Sequence, residues 1–403
     1  MLAALKRVFC EPHRVFFLAA GLYGVFALSV WEIWLGLDFV AANPPAMPFA
    51  AAPYLWHAHE MIFGYASAAL GGFFLTAVPN WTGSKDTAKY FVTGAAVIWL
   101  AGRLAIWMSG ILSPTVVAVV DLAFLPLLGI KIALMLVRRP KPQNLAFLAF
   151  LSLVWAGNLM VHLEWLGLTD DTLYTGLRVG LLSLCLMIAV LGGRVTPGFT
   201  RNAMKRAGVD ESTLPTSRKP VDLAASVMIA LVPLALLLRV PDALTGALAV
   251  AGGALHLLRI AFWRPFWTLG QPILWALHLG MAMLGLGLVL WGSSLLGWGS
   301  EVAGLHVLGI GAVGGMTVAV MSRAILGHTG RALIAPRAVA LSYALIAAAA
   351  GLRWSASALS GDLYGPAILA TGALWIVGFG LFTVALWPAF TGPRVPRDAS
   401  PGA

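Results

Sequence analysis

Two histidines and a glutamate stand together in Trp56-His57-Ala58-His59-Glu60-Met61-Ile62-Phe63-Gly64, at the mouth of an apolar run that continues to Val78. Imidazole is the commonest metal ligand, and an ionisable group in a membrane-length segment is a candidate for function. Residues two apart on a helix point about 200° away from each other, so His57 and His59 do not grip one ion together. Such a helix would stand between two sites, or between one site and a hydrogen-bonding shell. The plainer alternative is an interfacial pair that only hydrates the helix end. Glu60 has two roles open to it: delivering protons to a reaction centre, or accepting the N–H of a ligating imidazole.

An apolar scaffold must position these groups. Of the 403 residues 60% are hydrophobic and 10% charged, with mean hydropathy +0.88; a soluble domain carries about 25% charged residues. The fold class is all-α, a polytopic membrane protein with twelve transmembrane helices. They are expected over 15–37, 56–79, 90–110, 114–137, 145–166, 172–193, 221–239, 242–262, 272–292, 300–321, 338–358 and 364–388. This alternation puts 21 of the 26 basic residues on one face, from Lys6, Arg7 and Arg14 through Lys85, Arg138, Arg206 and Arg323 to Arg331 and Arg397. The excess of positive charge predicts that this face, with both termini, is cytoplasmic. The chain reads as a single membrane domain, 1–403, with a basic cytoplasmic loop at 194–220 between two six-helix halves. The net charge of +10 follows from this topology and implies no nucleic-acid partner. Cys10 and Cys185 have no partner at a metal-binding spacing, and the charged start runs into a span without a cleavage site.

Topology sorts the eight histidines by depth. His57, His59, His162 and His306 fall towards the outer side, with Arg103, Arg178 and Glu164 nearby in depth. His162 reads best as capped by a backbone carbonyl of a neighbouring helix. Glu164 is one carboxylate that would serve the buried arginines. His256 and His278 lie six residues inside the inner ends of consecutive antiparallel spans, about 9 Å from the boundary. They could face each other and clamp a haem iron, or give two ligands to copper. His13 and His328 are on the cytoplasmic rim. In Gly327-His328-Thr329-Gly330-Arg331, His328 with Arg331 reads as a binder of a propionate or lipid phosphate. Gly309, Gly311, Gly314 and Gly315 allow close helix contact, or contact with a flat ring.

Several stretches together resemble the NnrS family. They are Trp56 to Gly64 and its continuation Gly72-Phe73-Phe74-Leu75-Thr76-Ala77-Val78-Pro79-Asn80-Trp81-Thr82-Gly83, then Gly193-Arg194-Val195-Thr196-Pro197-Gly198-Phe199-Thr200-Arg201-Asn202. Pro272-Ile273-Leu274-Trp275-Ala276-Leu277-His278-Leu279-Gly280, Gly315-Met316-Thr317-Val318-Ala319-Val320-Met321-Ser322-Arg323, 327–331 and the early His13-Arg14-Val15-Phe16-Phe17 fit as well. The resemblance implies a haem- and copper-containing protein of the bacterial inner membrane, linked to denitrification and relief of nitric oxide stress. A looser similarity to haem–copper oxidases lacks their adjacent His-His pair.

The expectation is therefore an integral membrane protein with haem b and copper that binds or reduces nitric oxide. His57, His59, His256, His278 and His306 are the candidate metal ligands, His328 and Arg331 cofactor contacts, and Glu60 the candidate catalytic group. Reduction would make it an oxidoreductase resembling nitric oxide reductases, with electrons from a quinol or a cytochrome. The alternative is a twelve-helix transporter or metal-delivery protein using the histidines as a substrate or proton relay.

Overall fold

The computed structural model describes residues 2–40, 44, 46–84 and 87–396. Lys85 and Arg397, counted above on the basic face, lie outside the described residues. The described chain is helical, without strands, and twelve helices are long and apolar enough to cross a membrane. They are α1 Pro12–Phe39, α2 Pro53–Thr82, α3 Lys89–Trp107, α4 Pro114–Leu136, α5 Pro142–Trp165 and α6 Leu173–Arg206. The others are α7 Lys219–Leu237, α8 Asp242–Ala261, α9 Pro272–Leu295, α10 Glu301–His328, α11 Arg337–Ala356 and α12 Gly361–Ala385. Helix α6 runs on to Arg206, past the expected end at 193, so the first part of the expected 194–220 loop is helical. The basic residues there are compatible with a helix that leaves the apolar layer but keeps its ladder of hydrogen bonds.

Local chemistry sets the helix ends. Proline opens α1, α2, α4, α5 and α9, where its fixed φ suits the first turn and its missing N–H costs nothing. Ser113 and Ser300 cap the N-termini of α4 and α10 by accepting from Val116 N and Ala303 N. Prolines inside a helix free a carbonyl four residues back, which hydrocarbon cannot satisfy. The structure supplies donors at two of them. Thr87 Oγ1 donates to Leu75 O, left by Pro79, at 3.3 Å. The Trp155 indole donates to Leu122 O, left by Pro126, at 3.2 Å. The second bond ties α5 to α4 one residue beyond Asp121.

The chain forms two compact units, Met1–Gly180 with Ala324–Ala332 and Phe382–Ala403, and Leu181–Arg323 with Leu333–Leu381. In the first, glycines bring helices to backbone contact. A Cβ at Gly157 of α5 would lie 2.6 Å from Gly176 O, and one at Gly102 of α3 would lie 3.2 Å from Asp121 Cα. In the second unit, α8 and α9 meet through Gly246 against Gly292 and Gly253 against Gly285, where an added Cβ would lie 2.5–2.9 Å from the facing carbonyl. Gly311 packs on Met283 and Gly314 on the Trp375 ring, so these late glycines serve helix contact.

Candidate metal centre

The centre lies in the first unit and begins with a distortion of α2. Residues Pro53–His59 are α-helical, and Glu60–Tyr65 form a wider π-helical turn, a feature often found at functional sites. Side chains take up carbonyls of this turn. Ser67 Oγ donates to Phe63 O at 2.5 Å and to Gly64 O at 3.0 Å, and the Trp99 indole donates to Gly64 O at 3.0 Å. Two carbonyls of the wider turn thereby keep donors.

His59 and Glu60 emerge from it fully buried. His59 Nδ1 donates to Glu60 Oε1 at 2.8 Å. Its Nε2 meets Asn158 Oδ1 at 2.9 Å and Asp121 Oδ2 at 3.4 Å, an edge lined by oxygen acceptors at which a proton or a metal cation could sit. Asn158 and His162 are four residues apart on α5 and so share a face. The Asn158 amide donates to Asp121 Oδ2 at 2.9 Å, and His162 Nε2 donates to the same oxygen at 2.8 Å. Arg103 of α3 bridges the carboxylates, with one guanidinium nitrogen 2.5 Å from Glu60 Oε1 and another on Asp121 Oδ1. The Tyr23 hydroxyl of α1 donates to Glu60 Oε2. Five helices, α1 to α5, thus converge on one network.

Among the described residues, His59, Asp121 and His162 each offer a ligand atom, all within 4.8 Å of one another and all buried. Two carboxylates and one guanidinium leave a negative charge in a dry interior, which a proton or a metal cation at the imidazole edges would balance. Two imidazole nitrogens and a carboxylate oxygen fit a divalent transition metal, with Asn158 Oδ1 a further oxygen on the same edge. Aromatic rings close the surroundings. Trp165 lies 5.1 Å from the His59 ring and 5.3 Å from that of His162, while Phe49 stacks on Trp56 at 4.6 Å. Gly64 is required by proximity: a Cβ there would lie 2.7 Å from an Arg103 nitrogen and 2.9 Å from Glu60 Oε2.

Of the histidines expected in an outer cluster, only His59 and His162 are brought together here. His57, turned to the other side of α2 as the spacing required, stacks on Trp31 at 5.1 Å. His306 belongs to the second unit, with Nδ1 2.7 Å from Val302 O. The expectation of a backbone cap for His162 is corrected: its partner is Asp121, because the 158/162 face of α5 is aimed at α4. Glu164 is not among the acidic partners of Arg103, which are Glu60 and Asp121; it accepts from Thr172 N and Leu173 N, both at 2.6 Å, capping the start of α6. Asp121 and Asn158 escaped the sequence reading. Asp121 had a legible signal, a lone carboxylate within an apolar span.

In the second unit, the Gly246–Gly292 and Gly253–Gly285 pairs fix the antiparallel register of α8 and α9. His256 then comes level with residue 282 and His278 with residue 260, an offset of four residues or about 6 Å along the axis. The register does not set these imidazoles opposite each other. His256 Nδ1 donates to Gly252 O at 2.8 Å, and His278 Nε2 meets Thr200 Oγ1 at 2.9 Å, while His278 Nδ1 is buried without a hydrogen-bond partner. At the rim of the first unit, His328 stacks on His13 at 5.0 Å, and Arg331 donates to Pro388 O at 2.8 Å.

No curated protein matches the chain. A family model described as NnrS protein matches residues 7–394, nearly its whole length, and the chain with this buried histidine–carboxylate centre belongs to the NnrS family.

Proposed function

We propose that this is a metal-containing protein of the bacterial inner membrane that binds nitric oxide, in denitrification or in relief of nitrosative stress, with both termini cytoplasmic. The observation that carries the reading is the buried convergence of His59, Asp121 and His162 in a chain of this family. The imidazoles accept copper among other divalent transition metals, and copper is the one the family resemblance implies. Copper held by these three residues would supply an open coordination position to a small diatomic ligand. Nitric oxide is apolar enough to arrive through lipid.

The side chains around that position do the remaining work. Glu60 fixes the tautomer and tilt of His59 through the Nδ1–H bond. Arg103 holds Glu60 and Asp121 apart and offsets their charge. The Phe49–Trp56 stack and Trp165 keep water out. Glu60 also has a proton-bearing neighbour, the Tyr23 hydroxyl, so proton delivery by Glu60 would begin there. For haem b we favour His278 as an iron ligand, because its Nδ1 is buried without a hydrogen-bond partner deep in its helix and Thr200 steadies its other edge. Reduction of nitric oxide additionally requires electrons, which a quinol or a cytochrome would donate.

The test is metal analysis and an absorption spectrum of the purified protein, followed by titration with nitric oxide. Wild type is expected to contain copper and a Soret-absorbing haem. His162→Ala should lose copper and keep the Soret band, and His278→Ala should do the reverse. A wild-type protein free of iron, copper and chromophore would overturn the reading.

A further inference from the structure

Most deeply placed arginines here have acidic or carbonyl partners. Arg103 bridges Glu60 and Asp121, Arg259 pairs with Asp222 at 2.6 Å, and Arg14 pairs with Glu11 at 2.6 Å and donates to three carbonyls. Arg323 is different. It stands five residues before the end of α10, about 7 Å up the helix axis. Its guanidinium carbon lies 3.9 Å from the centre of the Phe199 ring of α6. Its other electrostatic neighbours among the described residues are Arg206 and Tyr343, and none of these is a carboxylate. Tyr343 spends its hydroxyl on Ser322.

The geometry narrows what could complete this set. Phe199 and Arg206 are seven residues apart on α6, two turns along one stripe, so both belong to the helix face that meets Arg323. The ring covers one face of the Arg323 guanidinium, which leaves its N–H edges for an in-plane acceptor. A second cation on the same stripe repels Arg323 instead of satisfying it. Two cations beside each other near a membrane boundary call for an anion, and a planar guanidinium edge matches the paired oxygens of a phosphate. Phosphate is the anion a bilayer presents at this depth, and basic pockets between helices are recurrent sites for anionic head groups. Both residues stand at the ends of even-numbered helices, on the face the sequence marks as basic.

We propose that Arg323 and Arg206, with Phe199 as a platform, bind a phosphate group, in the first instance that of an anionic phospholipid. The site is independent of the metal centre. It accounts for Arg323, which that centre leaves unused.

The experiment uses the full-length protein, delipidated in detergent, with native mass spectrometry and thermal unfolding as readouts. Phosphatidylglycerol, phosphatidylcholine and inorganic phosphate are titrated separately. Phosphatidylglycerol should bind and raise the unfolding temperature more than phosphatidylcholine does. Arg323→Gln should weaken this by about tenfold, the loss of one charge-assisted pair of hydrogen bonds. Arg206→Gln, at an exposed position, should weaken it by about threefold and decides the matter if Arg323→Gln does not fold. Binding of inorganic phosphate that depends on Arg323, without any response to phosphatidylglycerol, would retain the phosphate chemistry and identify free phosphate as its source. Equal binding by wild type and every folded variant, or no response of wild type to either probe, overturns the proposal.

Discussion

The two units solve the problem of buried polar groups differently. In the first, charge is concentrated: Glu60, Arg103 and Asp121 are all buried, and their hydrogen bonds cross between helices. In the second, His256 is satisfied within its own helix, and the main ion pair, Arg259 with Asp222, includes a carboxylate 23% exposed. Backbone contact at Gly253 and Gly285 occupies the space between α8 and α9. Depth alone therefore does not bring a histidine to a carboxylate. What distinguishes His59 and His162 is Asp121, a carboxylate on a third helix that reaches both.

The sharpest way to break this contrast is to remove that carboxylate. Asp121→Ala deletes the proposed ligand, frees an imidazole and leaves Arg103 with Glu60 as its acidic partner. Removing one member of a buried charge set costs about 3–5 kcal/mol. The expected outcome is loss of copper and a marked fall in unfolding temperature. Asp222→Ala in the second unit should leave copper content unchanged and cost about 1 kcal/mol, since water reaches its carboxylate. Similar metal loss in both variants, by elemental analysis, would mean that the first unit is not special.

A smaller effect is expected from glycines, and it separates network from packing. Gly64→Ala pushes a methyl group against Arg103 and Glu60 and should cost about 1–3 kcal/mol. Gly351→Ala in α11 meets open space, and should stabilise that helix by about 0.5–1 kcal/mol. Unfolding midpoints of the two variants should move in opposite directions. Equal shifts would show that the Gly64 contact yields without strain.

How much of this could be read from the chain alone follows from the range of each signal. Hydropathy is local, so all twelve spans were legible, and the 200° argument correctly separated buried His59 from His57, which rests on Trp31. Helix ends were less legible. Nothing in the hydropathy of 194–206 reports that α6 continues, because backbone hydrogen bonds extend beyond the apolar layer. The centre was half legible. Glu60 and His59 are neighbours in sequence, but Asp121 and Asn158 become partners only when α4 and α5 are docked, and that docking depends on a proline-freed carbonyl and a tryptophan 33 residues away. The glycine register that offsets His256 from His278 is likewise a property of two packed helices.

The smallest effect concerns the surface, where the units can be compared by acid. Glu11, just before α1, has its carboxyl lowered to about 2, mainly by the hydrogen bond from His13, with Arg14 adding to it against the cost of burial. Glu211, in the second unit, is also lowered, by its hydrogen bond and charge interaction with Lys205, but it is fully exposed. A depressed carboxyl stabilises the fold above its ordinary value of 4.5, and that contribution is lost as pH falls from there towards 2. Glu11 is 42% exposed, so the shift in unfolding temperature across this window should be modest. Its partner Arg14 also donates to the carbonyls of Ala389, Phe390 and Gly392, so loosening should reach the C-terminal segment. Glu11→Gln should flatten the acid limb of the unfolding curve, whereas Glu211→Gln should leave it as in wild type. Hydrogen exchange at 389–392 gives the local readout: protection there should fall with acid in wild type and be low at every pH in Glu11→Gln. If exchange in wild type stays constant between pH 5 and 2, Arg14 holds this segment without help from Glu11, and the acid-sensitive contact is confined to the start of α1.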